Sequence, residues 1–353
     1  MQDLIRVALI LAAGAACAQT PSGDPSIIAK GAELEVLFAD AFLTEGPAVA
    51  PDGSVYFSDI TFSGRSGMQA GHIWRYDPKT GETAIFRSPS GMSNGLKFDA
   101  QGRLIAAEGA DFGGRRLTRT DLATGKTEII AGLYEGHPFN SPNDISIDEQ
   151  GRIYFSDPRY LGHEPIDQPV EGVYRVDPDG SIERIITDAG KPNGVCVSPD
   201  QKSLYVVSND KGYTDVLRID DDAPHYKGRM ALLAYDLHAD GTATFREELV
   251  DYLPEDGPDG LVADVDGNLY VAVRDATRPG IAVYSPKGRE LAYIPTPEKP
   301  TNVAFGHGEQ SKTLYLTYGP WPSKEGHVGA GGKNPGVLAK IKVGKDGYHL
   351  PKP

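Results

Sequence analysis

The sequence predicts an all-β fold, a six-bladed β-propeller with four-stranded blades and a ring closed by an N-terminal strand. One phrase, a turn followed by a short strand rich in Tyr, Phe and Val, recurs six times, starting at Asp52, Gln101, Gln150, Gln201, Asp266 and Ser311. Each copy follows another apolar segment, and two further strand-like segments separate successive copies. The 42 glycines and 27 prolines suit a chain with many tight turns. Four short strands in a repeat of 45 to 65 residues are typical of a propeller blade.

The two ends of the repeat array predict how the ring closes. The segment AELEVLFAD, residues 32–40, resembles the fourth strand of a blade but precedes the first copy. The sixth copy, in contrast, is followed by VLAKIKV and little else. We therefore expect the N-terminal strand to complete the sixth blade and to leave no long open edge. Residues 208–230 and 326–334 are interpreted as loops, and an irregular β-sandwich is the alternative fold.

The first 18 residues are interpreted as a signal peptide, and residues 19–353 as a single propeller domain. Arg6 and the terminal amine, less Asp3, give the first residues a modest positive charge, and an apolar run follows. Ala16-Cys17-Ala18 then has the pattern of a cleavage site. We expect export and soluble release to the periplasm or the medium, with a lipid anchor on Cys17 as the alternative. Cleavage would leave Cys196 as the only cysteine, so no internal disulfide is expected.

Charge limits the partners that the protein can have. The net charge of −14 argues against nucleic acid or an anionic membrane. The apolar run near the N-terminus is too short to span a bilayer, so no membrane insertion is expected. A propeller buries its core within one chain, and the sequence indicates no obligatory protein partner.

One column of the repeat alignment contains six side chains with oxygen atoms. Just before the first apolar segment of successive copies stand Glu45, Asn94, Asn143, Asn193, Asp259 and Asn302. Equivalent positions in the blades face the same axis, so these side chains are expected to converge at one mouth of the channel. Carboxylates and amides without thiol or imidazole suit Ca²⁺ or another hard divalent cation and suit zinc poorly. Asn and Asp are also ordinary turn residues, but a turn does not explain Glu45.

Four short motifs around this column resemble those of the regucalcin (senescence marker protein) and gluconolactonase family. They are Glu45-Gly46-Pro47, Ser141-Pro142-Asn143-Asp144, Pro192-Asn193-Gly194 and Pro258-Asp259-Gly260. Residues 140–160 look especially similar to bacterial gluconolactonases, and diisopropylfluorophosphatase is a more distant likeness. The resemblance implies a six-bladed propeller with a catalytic divalent metal, commonly calcium. Its ligands would be Glu45, Asn193 and Asp259, with Asn143 as a further ligand or substrate-contacting amide.

The resemblance also implies an activity, hydrolysis of a small-molecule sugar lactone with calcium as the cofactor. Asp259 is the expected catalytic base, or the residue that orients the attacking water. The substrate contacts are expected from Asn94, Asn143 and Asn302, with Arg159 and Tyr160 at the channel rim. Regucalcin-like members have an arginine where this chain has Ser141, so the sugar contacts are not all shared.

Two other functions stay open at this point. The same metal site could act on phosphotriesters or aryl esters, which would call for a more apolar channel mouth than the amides suggest. A non-catalytic exported propeller could instead bind a sugar acid or a protein, with calcium as a structural plug, because propellers host many functions. Loss of activity on chelation with survival of the fold would favour a hydrolase over a binding protein.

Overall fold

The chain is a six-bladed β-propeller, as predicted. A computed structural model describes residues 20–61, 71–212, 226–319 and 336–350. Within these ranges the chain forms six antiparallel sheets of four or five strands, and one separate two-stranded hairpin. The first strands of neighbouring blades contact one another around the central axis. Residues 1–18, interpreted as a signal peptide, lie outside the described residues, as do 213–225 of the first expected loop and the whole of the second, 326–334. The first loop is shorter than expected, because residues 208–209 and 230 belong to strands.

Within each blade we number the strands from the channel outward. Blade one consists of Thr44–Val49, Val55–Asp59, His72–Tyr76 and Thr83–Arg87. Blade two consists of Ser93–Phe98, Leu104–Glu108, Arg116–Thr120 and Thr127–Ala131. Blade three consists of Ile145–Ile147, Ile153–Ser156, Val173–Val176 and Ile182–Ile186. Blade four consists of Pro192–Val197, Ser203–Asn209, Met230–Leu237 and Ala243–Asp251. Blade five consists of Leu261–Ala263, Leu269–Val273, Gly280–Tyr284 and Glu290–Pro295. Blade six consists of Pro300–Phe305, Thr313–Tyr318, Gly336–Lys342 and Glu35–Ala41. The smaller elements are Ser22–Gly23, Leu133–Tyr134, His137–Pro138 and the 3₁₀ helix Gly308–Gln310.

The N-terminal strand closes the ring, as the repeat array predicted. Glu35–Ala41 is the outermost strand of blade six and pairs antiparallel with Gly336–Lys342, with Glu35 opposite Lys340. Sequence analysis made no prediction for the segment before it, where Ser22–Gly23 pairs with the fourth strand of blade five. The N-terminal region therefore ties blades five and six together.

The second strands have continuous apolar sequences because blades pack face to face and bury both of their surfaces. Leu269–Val273 is buried along its whole length, whereas the outer strand Ala243–Asp251 is mostly exposed. Tyr270, Phe305 and neighbouring side chains form one of these interblade cores. Cys196 is buried and free, as expected. In the described part of the chain, no helix has the length and apolar character that a membrane span requires.

Candidate active site at the channel mouth

Five of the six side chains in the predicted column line one cavity. They are Glu45, Asn94, Asn143, Asn193 and Asp259. Each stands at or just before the start of the first strand of its blade, and each is at most 9% exposed. The first strands surround the axis, so the same position in five blades delivers five oxygen-bearing side chains to one place.

Backbone contacts between blades fix this ring. The amide of Gly95 donates to the carbonyl of Asn143 in the next blade at 2.7 Å, and the amide of Gly194 donates to that of Asp259 at 3.1 Å. A Cβ atom at Gly95 or Gly194 would lie 2.5 Å from the carbonyl oxygen that its amide contacts. Only glycine permits this approach, which explains the Asn-Gly and Asp-Gly pairs of the repeats. The ring is therefore held by main-chain atoms of adjacent blades.

In blade six the ring position belongs to Thr301, so the register predicted with Asn302 is corrected by one residue. The amide of Gly260 donates to the carbonyl of Thr301 at 2.7 Å, as the amides of Gly95 and Gly194 do to Asn143 and Asp259. Asn302 takes the place that glycine has in other blades, and its Nδ2 lies 3.5 Å from Oε2 of Glu45. The longer turn of the sixth repeat concealed this register. Asn302 therefore supports Glu45 from below and is not among the residues that line the cavity.

Asp144 occupies the same glycine position in blade three, and sequence analysis gave it no role. Its Oδ1 accepts a hydrogen bond from the amide of Ile145 at 2.9 Å, and the carboxylate interacts with the side chain of Asn302. Burial raises the pKa of Asp144 to about 6. Asp144 and Asn302 thus form a polar layer inside the channel, beneath the ring.

The two ring carboxylates are shielded from water, and this sets their electrostatics. Burial, together with the nearby charge of Asp259, raises the pKa of Glu45 well above its usual range. Burial also raises the pKa of Asp259, while the positive charge of Arg274 opposes the shift. Nη1 of Arg274 lies 2.9 Å from Oδ2 of Asp259 and 3.0 Å from the carbonyl oxygen of Pro300. Two buried carboxylates that repel each other in one cavity favour a positively charged ligand between them.

A second column of the repeat also faces the cavity, and sequence analysis missed it. Each of its members stands eight residues after the start of a recurring phrase. The members that line the cavity are Ile60, Gly109, Asn209 and Arg274. The alignment that revealed the ring also contains this column, but its residues share no chemistry, so nothing marked it. We call it the upper tier.

The walls of the cavity differ in chemistry. Blades one to three contribute an apolar wall, formed by Leu43, Ile60, Met92 and Leu161, which pack together. Blades three to five contribute a polar wall, formed by Tyr160, Asn209, Lys211 and Arg274. Burial, and then the charge of Arg274, lower the pKa of Lys211 to about 8. A bound molecule would therefore meet hydrocarbon on one side and hydrogen-bonding groups on the other.

Arg159 does not reach the cavity, which corrects its expected place at the channel rim. Its side chain is 1% exposed, and its guanidinium donates to the carbonyl oxygens of Asn140, Glu164 and Pro165. The arginine thus organises the segment after the second strand of blade three. Tyr160, the next residue, does line the cavity.

The residues of the ring fit a hard divalent cation. Oδ1 of Asn94 and Oδ1 of Asn193 are buried acceptors without a hydrogen-bond partner in the described structure. Together with the carboxylates of Glu45 and Asp259 they form a set of oxygen donors with two negative charges, which suits calcium. Across the described ranges, no group of three or more His, Cys, Asp and Glu side chains is placed to hold a metal. Amide oxygens would therefore have to complete the coordination.

The fold and the cavity together define a six-bladed β-propeller with a carboxylate and amide ring at its channel mouth. Residues 43–319 match the sequence model of the SMP-30/gluconolactonase/LRE-like region, and the chain belongs to that family. It is 30% identical over 307 residues to a gluconolactonase of Zymomonas mobilis subsp. mobilis, covering 80% of this chain and 78% of that protein. It is 28% identical over 309 residues to a pentonolactonase of Haloferax volcanii, covering 84% and 88%. A solved gluconolactonase structure from Xanthomonas campestris superimposes with a TM-score of 0.72, at 25% identity, over 93% of this chain and 95% of that one.

Proposed function

We propose that the protein hydrolyses lactones, and sugar lactones in particular, at the channel mouth. The observation that carries the proposal is the convergence of two buried carboxylates, Glu45 and Asp259, with three amide side chains in one cavity. The gluconolactonase and pentonolactonase relatives support the substrate class. The amides suit recognition of a polar ring, because each can hydrogen-bond to a hydroxyl or a carbonyl group.

We further propose a divalent cation, calcium first, as the cofactor. Glu45, Asn143, Asn193 and Asp259 would hold it, and the unpartnered acceptor of Asn94 lies in the same cavity. The bound cation would polarise the lactone carbonyl and stabilise the negative charge that develops on its oxygen.

The side chains of the protein then have separable tasks. Asp259 accepts a proton from the attacking water as the water oxygen bonds to the carbonyl carbon. The ring C–O bond breaks, and the departing alkoxide oxygen takes up that proton, so that a lactone and water give a hydroxy acid. Arg274 keeps the Asp259 carboxylate ionised and oriented from 2.9 Å away. Asn302 supports Glu45 from within the channel.

Hydrolysis of D-glucono-1,5-lactone, followed by acid release with a pH indicator, tests the proposal. Replacing Asp259 with the isosteric Asn should lower kcat by about 10²- to 10⁴-fold, because the proton acceptor is lost. EDTA should abolish wild-type activity, Ca²⁺ should restore it, and circular dichroism should show an intact fold. Asp266→Asn, in an exposed turn of blade five, is the matched control and should keep wild-type activity. Calcium binding without hydrolysis of any lactone would instead indicate a binding propeller.

The apolar wall supports a second candidate function. One side of the cavity is a hydrocarbon surface formed by Leu43, Ile60, Met92 and Leu161. A fully hydroxylated lactone ring would not cover all of this surface. Aryl esters or phosphotriesters could place an apolar group there and react at the same ring. A substrate panel decides between the two, because preference for phenyl acetate or a phosphotriester over lactones would favour this second candidate.

We also propose that residues 1–18 direct export and that the released protein begins at Gln19. N-terminal sequencing of protein recovered from the periplasm or the medium tests this. A fraction that carries lipid on Cys17 and sediments with membranes would contradict it.

A further inference from the structure

One amide in the upper tier is held rigidly but lacks a partner for its oxygen. Nδ2 of Asn209 donates to the carbonyl oxygens of Gly257 at 2.8 Å and Pro258 at 3.3 Å. Oδ1 of Asn209 is buried and has no hydrogen-bond partner in the described structure. The residue is 3% exposed and lines the cavity.

The chemistry of the two contacts fixes the orientation of this amide. A carbonyl oxygen can only accept a hydrogen bond, so the side that faces Gly257 and Pro258 must be the NH₂ group. The amide oxygen consequently lies on the opposite side of the side chain. A buried acceptor left unpaired is costly, and such groups in native proteins usually have a water or ligand partner.

Asn209 belongs to a different tier of the cavity from the carboxylate and amide ring. It ends the second strand of blade four, whereas the ring residues of the cavity lie at or just before the start of the first strands. Its neighbours in the cavity are the polar wall residues Tyr160, Lys211 and Arg274, and the apolar wall belongs to other blades. The hydrogen-bond donor that would pair with Oδ1 of Asn209 therefore belongs to the substrate, and to a part of it other than the reacting carbonyl group.

Resting on the proposed lactonase function, we propose that Oδ1 of Asn209 accepts a hydrogen bond from a ring hydroxyl of the lactone. The C–H face of the same ring packs against the apolar wall of Leu43, Ile60, Met92 and Leu161. The substrate class is therefore a lactone with hydroxyls along one edge, and Asn209 is a specificity-determining residue. A lactone without ring hydroxyls leaves Oδ1 unpaired, and a site built to hydrogen-bond a hydroxyl discriminates against an analogue that lacks it.

The experiment compares kcat/KM for D-glucono-1,5-lactone and for δ-valerolactone, which has the same six-membered ring without hydroxyls. In Asn209→Leu the value for D-glucono-1,5-lactone should fall about 10- to 100-fold, the effect of one lost buried hydrogen bond. The value for δ-valerolactone should change by less than about threefold. The different intrinsic reactivities of the two lactones cancel when the ratio in each variant is divided by the wild-type ratio.

Two further variants keep the test decisive. Asn209→Ser, which is smaller and apt to fold, is too short to present the same acceptor and should show the same fall in the ratio. Asn268→Ser removes a buried amide that contacts Asp264 in blade five, away from the cavity, and should keep the wild-type ratio. Folded Asn209 variants with an unchanged ratio would overturn this inference and leave the lactonase proposal standing. A wild-type protein that hydrolyses neither lactone would overturn both.

Discussion

Nη1 of Arg274 lies 2.9 Å from Oδ2 of Asp259, and the two side chains are 3% and 8% exposed. A buried carboxylate is costly to ionise, and the guanidinium lowers that cost at the residue proposed as the base. Arg274 also donates to the carbonyl of Pro300 at 3.0 Å, which fixes its position between blades five and six. The protonation state of Asp259 thus depends on a residue of the upper tier.

Replacing Arg274 with Met should shift the acidic limb of the activity profile. Burial already raises the pKa of Asp259, and loss of the opposing positive charge should raise it further. Activity that needs the ionised carboxylate should then disappear at a higher pH than in the wild type. The measurement is kcat/KM for D-glucono-1,5-lactone across pH. Arg278→Met, at an exposed arginine that pairs with Glu290, should leave the limb in place; a limb unchanged in Arg274→Met would contradict the assigned role.

Replacing Asp157 with Asn should weaken the pH dependence of stability. Asp157 accepts hydrogen bonds from the amides of Asn140 at 2.8 Å and Ser141 at 2.6 Å, and burial raises its pKa to about 7. Between about pH 4 and 7 the folded protein holds a proton that the unfolded chain releases, so this group lowers the free energy of unfolding as pH rises. The variant should lose this contribution. Urea unfolding at pH 5 and pH 7 measures the change in the free energy of unfolding between these two pH values, with exposed Asp52→Asn as the control. The same change in the wild type and in Asp157→Asn would refute the prediction.

Deleting residues 20–41 should open the ring. The deletion removes Glu35–Ala41 and leaves Gly336–Lys342 as an unpaired edge, and it also removes the buried side chains of Ile27 and Ile28. Exposed edges pair with other chains, so we expect a lower melting temperature and soluble aggregates on size-exclusion chromatography. A chain beginning at residue 20 is the comparison. A monomer with an unchanged melting temperature would show that the closing strand is dispensable.

The thiol of Cys196 should be unreactive in the native protein. It is 7% exposed, and burial raises its pKa to about 11. Because the thiolate is the reactive form, a chain beginning at residue 20 should react with a disulfide reagent at pH 8 at least about 100-fold faster in denaturant than in buffer. Rapid stoichiometric labelling of the native protein would mean that the channel opens at blade four.

The blades and the ring could be predicted because both repeat. When the repeats are aligned, residues at the same position support one another, even where each is weak evidence by itself. Glu45 and Asp259 were found in this way, and so was the closing strand. The one register error arose in blade six, where turn length hides that Thr301 and not Asn302 meets Gly260. Turn length depends on local backbone geometry, which the alignment of apolar segments does not contain.

The upper tier and Arg159 show the other limit of sequence reasoning. Asn209 and Arg274 occupy one column, but an amide and a guanidinium share no pattern that would single them out. Arg159 stands beside a recognisable motif, yet its direction is decided by the carbonyl groups of Glu164 and Pro165, which follow it, and of Asn140, which precedes it. Contacts of this kind arise only when the chain has folded.

The strand that closes the ring also sets an order of events during synthesis. Of the blade strands that the structure describes, Glu35–Ala41 is made first and its partner Gly336–Lys342 last. Until that partner emerges, blade six cannot form and the ring cannot close, however well the earlier blades pack. Blade six therefore stays incomplete until residue 342 has been made, and a product that stops short of residue 336 keeps Glu35–Ala41 without its partner strand.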